Sequence, residues 1–178
     1  MSATAVKQET DKRREYSRGG KYLTFALGDE EYGLAILKVR EIIKIMAITA
    51  VPRTPHHVKG VINLRGQVIS VVDLRAKFGM PAVDRTEQTC IIVVDSAVRS
   101  AQGDRKVNTG IIVDRVSEVL NVNEEHIEDA PSFDAGVDSE FILGMGKIGE
   151  SVKILLDIDK VLGADDIVEA GESTLAAN

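Results

Sequence analysis

Arg65 is the residue of this 178-residue chain whose type and place most plainly suggest a task beyond packing. It stands at a polar corner, Asn63-Leu64-Arg65-Gly66, between two apolar, β-branched runs. A guanidinium carries five donors in a fixed fork, suited to carboxylates and exposed carbonyls. Arginine among apolar neighbours is also a common hot-spot composition in protein interfaces. An ordinary solvent-exposed turn arginine is the plain alternative.

Other residues capable of chemistry fit structural roles better. The histidines are His56, His57 and His126. Adjacent side chains on a strand point to opposite faces, so His56 and His57 are a poor joint metal site. Cys90 opens an apolar run and reads as a small hydrophobe; as the one cysteine it excludes an internal disulfide or a multi-cysteine metal site. Carboxylates are spread over loops and caps without catalytic spacing. Gly144-Met145-Gly146-Lys147-Ile148-Gly149 matches G-x-G-x-x-G letter for letter. A dinucleotide site needs a helix after that run, and the β-rich Val152-Lys153-Ile154-Leu155-Leu156 follows instead, so we read a glycine-rich corner. The expectation is a chain with no enzymatic activity and no cofactor.

Composition narrows the partners. The formal charge is −6 and aromatic residues make up 4% of the chain. Phosphate backbones require Lys and Arg neutralisation, and single strands require stacking aromatics, so nucleic acid is a poor fit. No apolar run reaches the roughly 18 to 20 residues of a membrane span. Residues 1–20 lack the apolar core of a signal peptide. These features predict a cytosolic protein that binds other proteins; a barrel binding a small ligand or single-stranded nucleic acid is the competing class.

The elements that must position Arg65 follow from periodicity and punctuation. Residues 1–20 are polar and mixed in charge, a flexible tail. Tyr22–Leu27 and Tyr32–Ile36 alternate as a hairpin around Gly28-Asp29. A helical turn near 35–38 precedes a strand to about 45, and Ala50–Pro55 is a proline-bearing loop. Gly66 can take positive φ at the Arg65 corner. Val68–Leu74 is a buried strand, Asp73 caps a helical turn, and Gly79 with Pro81 stops it. Cys90–Val94, Thr109–Val113 and Val116–Leu120 are strands, with Ser96–Asn108 a long hairpin loop between the first two. Asn121–Val137 reads as loop, Val152–Leu156 as strand and Asp157–Gly163 as a helical turn.

The chain repeats itself. A shift of 84 places Gly60 on Gly144, Val68 on Val152, Asp73 on Asp157 and Gly79 on Gly163. A shift of 77 places Gly33, Val39 and Glu41 on Gly110, Val116 and Glu118. This pattern implies duplication of one β unit of roughly 70 residues, the size of a small barrel that closes its own edges. Two linked barrels result, covering about 21–84 and 85–164, with strands free to be exchanged between them and 165–178 a C-terminal helix or tail. At Asn63-Leu64-Arg65-Gly66 the second copy has Lys147-Ile148-Gly149-Glu150. What both copies share serves the fold; Arg65 belongs to one.

Gly60–Arg75 resembles the signature of the CheW family, the adaptors of bacterial chemotaxis, and Tyr22–Gly33 and Val39-Arg40-Glu41-Ile42 match in the same order. The resemblance spans about residues 20–165. It implies a mainly β fold of two small five-stranded SH3/OB-like barrels with short helices, and no catalysis. It further implies an adaptor between chemoreceptor cytoplasmic tips and the CheW-like regulatory domain of the histidine kinase CheA, within arrays that meet the membrane only through the receptors. A receptor-binding groove is then expected around Arg65, with Ile36, Val39, Glu41, Ile42 and Gly60. A kinase contact is expected near Ile127, Pro131 and Phe133.

Overall fold

Runs rich in β-branched residues become strands, and the corners bearing Gly or Asp become tight turns. The structure, a computed structural model, describes residues 17–100, 103–130, 139–163 and 166–167. The first copy supplies β1 (Gly20–Leu27), β2 (Glu30–Ala35), a 3-10 turn (Ile36–Lys38), β3 (Val39–Lys44), β4 (Val58–Leu64), β5 (Gln67–Asp73) and α1 (Leu74–Lys77). The second supplies β6 (Cys90–Ser100), β7 (Gly103–Val113), β8 (Arg115–Val122), β9 (Ile127–Glu128), β10 (Ile142–Ile148), β11 (Ser151–Leu156) and α2 (Ile158–Val161). Both helices open on the aspartate that the sequence marks. Asp73 Oδ1 accepts from Arg75 N at 3.0 Å, and Asp157 Oδ1 accepts from Asp159 N at 3.1 Å.

Among the described residues the strands form two sheets, ordered β8-β1-β2-β11-β10-β9 and β3-β6-β7-β5-β4. The duplication explains this order. Each sheet takes the first hairpin of one copy and the remaining strands of the other. The parallel joins are equivalent to the residue: Gly33 lies beside Leu155 and Gly110 beside Val71. The fold is mainly β, with five strands in the second sheet, as expected, and the two-residue β9 adding a sixth to the first.

Strand alternation lets both faces of each sheet be buried. Ile92 and Val94 face a central core that they share with Phe25 and Leu34 of the other sheet. Ile91 and Val93 face a second cluster with Ile62, Ile69 and Val71, enclosed by the second sheet's own curvature. Tyr22, Val122, Ile127 and Leu155 form the corresponding cluster of the first sheet. Each such large side chain contributes about 1.5–3 kcal/mol on burial. A row of rings crosses the central core, Phe25 to Tyr32 at 5.8 Å and Tyr32 to Phe78 at 5.9 Å between centroids.

Four segments differ from expectation. Ser96–Asn108 is no loop: β6 and β7 continue as an arm, paired from Asp95 with Asn108 to Ser100 with Gly103. Buried Ser96 and Val98 give this polar stretch its inward face, and Ala97 N donates to Asp159 Oδ1 at 2.8 Å. Residues 144–148, read as part of a glycine-rich corner, belong to strand β10. Glycine serves there as clearance, because a Cβ on Gly144 would lie 2.5 Å from Ile127 Cγ2. Between Asn121 and Glu128, expected as loop, lie the end of β8, a 3-10 turn at Glu124–His126, and β9. Finally, ordered contacts begin within the expected tail. Arg18 Nη1 donates to Asp129 Oδ1 at 2.8 Å and to the Leu143 carbonyl at 3.1 Å, while its backbone N donates to Glu124 Oε2 at 2.6 Å.

Candidate functional site

The Arg65 corner is a two-residue hairpin turn. Leu64 and Gln67 are the last paired residues of β4 and β5, leaving Arg65 at φ +53° and Gly66 at φ +84°. Two successive positive φ values are the signature of a type I′ turn, whose twist suits a hairpin. Asn63 Oδ1 braces the turn by accepting from Gly66 N at 2.9 Å. The left-handed region disfavours side chains with a Cβ, so an arginine here is a local cost that the turn itself does not require.

The side chain extends from the corner to β3. Arg65 Nη1 and Nη2 donate to Glu41 Oε1 and Oε2 at 2.7 and 2.8 Å, a two-pronged pair. Glu41 raises the already high guanidinium pKa, so the arginine is always charged. β3 and β4 are the two ends of the second sheet, and the pair therefore clasps one rim. Nearby, Thr49, in the segment that follows β3, and Val61 of β4 exchange backbone hydrogen bonds at 2.9 Å each. The Arg65 side chain remains 74% exposed while Glu41 is 27% exposed. The clasp thus orients the guanidinium and leaves its remaining N–H groups open to a partner.

The other residues expected at this groove have different placements. Ile42 is exposed on β3, on the opposite face of the strand from Glu41. Ile36 and Val39 are half-buried and pack on the central core, so they support the surface from beneath. Gly60 is buried and offers no contact of its own. At φ +141° its absent side chain makes room for Thr49, whose carbonyl oxygen would lie 2.0 Å from a Cβ. Near the expected kinase contact, Ile127 is a core residue, 6% exposed and in the first sheet's own cluster. Pro131 and Phe133 lie outside the described residues. Cys90 is half-buried, and burial pushes its thiol pKa up, away from a reactive thiolate.

Sequence reasoning missed what ties the helices to the strand junctions. Arg75 of α1 donates through Nε and Nη2 to Asp114 at 2.8 and 2.6 Å, and Gly28 N donates to the same carboxylate at 2.7 Å. In the other half the acceptor sits on the helix. Asp159 of α2 accepts from Lys38 Nζ at 2.9 Å and from Ala97 N at 2.8 Å. Arg75 and Asp159 occupy equivalent places under the shift of 84, so both helices are tied with reversed polarity, but the partner Lys38 stands one residue beyond the counterpart of Asp114. Asp114 corresponds to Leu37 under the shift of 77, and Leu37 is 91% exposed.

A family model described as CheW-like domain matches residues 21–166. Chemotaxis protein CheW of Klebsiella aerogenes is 42% identical over 149 residues, which cover 84% of this chain and 85% of that protein. Chemotaxis protein CheW of Helicobacter pylori is 30% identical over 169 residues, covering 90% of this chain and 97% of that protein. The crystal structure of scaffolding protein TtCheW from Thermoanaerobacter tengcongensis superposes with a TM-score of 0.70 at 33% identity, covering 80% of this chain and 92% of that one.

Proposed function

Because the chain belongs to the CheW-like family, we propose that it is a non-catalytic adaptor that couples chemoreceptor cytoplasmic tips to the histidine kinase CheA. The observation that carries this reading is Arg65, held by Glu41 yet three-quarters exposed, at a turn where the fold itself would prefer glycine. Strain retained at one exposed corner is what a binding residue costs a fold. A receptor tip is a helical hairpin, and a helix docked at this rim would find the fork of donors of Arg65, with Ile42 offering an apolar contact on the other face of the β3 edge. Ile36 and Val39 would hold that surface rigid from below, and Gly60 would keep the Thr49 segment closed against β4. The kinase contact belongs on the segment from Ile127 through Pro131 to Phe133, with Ile127 anchoring it to the core.

No helix among the described residues is long and apolar enough to cross a membrane. We place the adaptor in the cytoplasm, drawn to arrays at the inner membrane through the receptors. Co-sedimentation with receptor-tip hairpins and with CheA tests the coupling. Arg65→Glu should weaken receptor binding at least about thirtyfold, as for a central interface arginine, and leave CheA binding unchanged. A folded Arg65→Glu variant that binds receptors like the parent would remove the site from this corner.

A further inference from the structure

Leu37 is the most exposed large apolar side chain among the described residues, at 91%. The duplication shows that the fold does not need it. Its counterpart Asp114 turns inward to Arg75, and in the first copy Lys38 makes the corresponding bond to Asp159. Leu37 is thereby left facing outward. It borders a shallow recess of about 220 Å³, shared with Lys38, Asp95, Ser96, Ala97 and Lys106. A second recess of about 150 Å³ holds Arg65 and Glu41.

One face of the β6–β7 arm connects the two. Val93, Asp95 and Ala97 alternate onto the same side of β6, opposite Gly110, Asn108 and Lys106 of β7. Val93 and Asn108 border the Arg65 recess, while Asp95, Ala97 and Lys106 border the Leu37 recess. Arg40 bridges them, its Nη1 3.7 Å from Asp95 Oδ2. The opposite side of the arm carries Ser96 and Val98, which are buried. That face is closed at Val93 and Gly110, which are buried in the second sheet's own cluster, and opens from Asp95 and Asn108 outward, where the two recesses adjoin.

We infer that the docking surface at Arg65 continues along this arm to Leu37, and that one helix of the receptor tip lies over both. The inference rests on the receptor reading above. From Leu37 to Glu41 the chain advances about 10 Å, at ~2 Å per residue in the 3-10 turn and ~3.3 Å in the strand. Seven residues of α-helix at about 1.5 Å each cover the same distance. The docked helix therefore sets a large apolar side chain against Leu37 and, two turns away, a carboxylate or a free carbonyl against Arg65. Lys106, exposed and without an ion pair among the described residues, calls for an acidic residue next to the apolar one.

Titration of a soluble receptor-tip hairpin fragment against the full chain separates this inference from its premise. Leu37→Asp should weaken binding at least tenfold, with Leu37→Ser intermediate and the thermal unfolding midpoint unchanged. Lys106→Glu should weaken it about threefold at low salt, with the difference vanishing as salt screens the contact. If Arg65→Glu abolishes binding while both Leu37 variants bind like the parent, the surface ends at Arg65; the inference falls and the receptor reading stands. If neither Arg65→Glu nor the Leu37 variants alter binding, or the parent does not bind, the receptor reading fails and takes the inference with it.

Discussion

The two hairpin corners, β4–β5 and β10–β11, solve the same problem with different residues. In both, two residues join the last paired positions, Leu64 with Gln67 and Ile148 with Ser151. The first corner residue is left-handed in each, at φ +53° for Arg65 and φ +59° for Gly149. Glycine takes that conformation without a steric penalty, so the second copy has the residue that the geometry favours. The first copy keeps an arginine there and fixes it to Glu41. Gly149 stands where an arginine would face Glu118, the counterpart of Glu41. Two copies of one hairpin thus separate what folding demands from what folding only tolerates.

The same comparison ranks substitutions. Gly60 and Gly144 are equivalent, and each lets a preceding segment cross against the hairpin. Gly60→Ala adds a Cβ 2.0 Å from the Thr49 carbonyl oxygen at positive φ. It should destabilise by more than about 3 kcal/mol, since strain and overpacking each cost ~1–3 kcal/mol. Gly144→Ala meets the Ile127 methyl at 2.5 Å and a carbonyl oxygen at 3.0 Å without positive φ, and should cost about half as much. Denaturant midpoints of both variants measure the difference; equal losses would mean that the two crossings are not equivalent.

The helix ties come next in size. Arg75→Ala strips a largely buried carboxylate of its main partner, with side-chain exposures of 13% and 26%, and should cost about 2 kcal/mol. Lys38→Ala removes a pair exposed to 39% and 32% and should cost about 0.5 kcal/mol. The pH dependence follows from Asp114, whose carboxyl is held below the usual range by hydrogen bonds from Arg75. A depressed folded-state pKa adds stability that is complete above the unfolded value of about 3.9 and is lost as pH falls through the folded value. The parent should therefore lose stability below about pH 4, and Arg75→Ala should show a shallower acid limb in thermal melts. An unchanged limb would mean that other carboxylates govern the acid transition. Asp166 is one that remains: burial pushes its carboxyl pKa up, but Lys77, the Gly163 N–H and His57 bring it below the usual value.

Much of this was legible in the sequence because local rules agreed with the fold. The caps at Asp73 and Asp157, the Arg65–Gly66 turn and the 3-10 turn at 36–38 all rest on one or two residues acting on their own backbone. The internal shifts of 84 and 77 carried the architecture. The misreadings came where a distant segment decides. The arm at 96–108 is polar, and only the burial of Ser96 and Val98 makes it strand. Gly144 looked like a turn residue because clearance for β9 and breaks in a chain use the same amino acid. Arg65 could be singled out as unexplained by the core, but its bond to Glu41 joins residues 24 positions apart and belongs to the rim. Leu37 escaped notice because its exposure is apparent only beside its inward-turned counterpart, Asp114.

Arg65→Gly gives the first corner the residue of the second and tests the central claim directly, through thermal unfolding and receptor-tip binding of the same preparation. The account predicts an unfolding midpoint within a few degrees of the parent, as strain relief offsets the lost exposed pair, and receptor binding weakened at least about thirtyfold. A variant that melts far below the parent yet binds receptor tips as tightly would contradict it, and would make Arg65 a structural clasp for the rim of the second sheet.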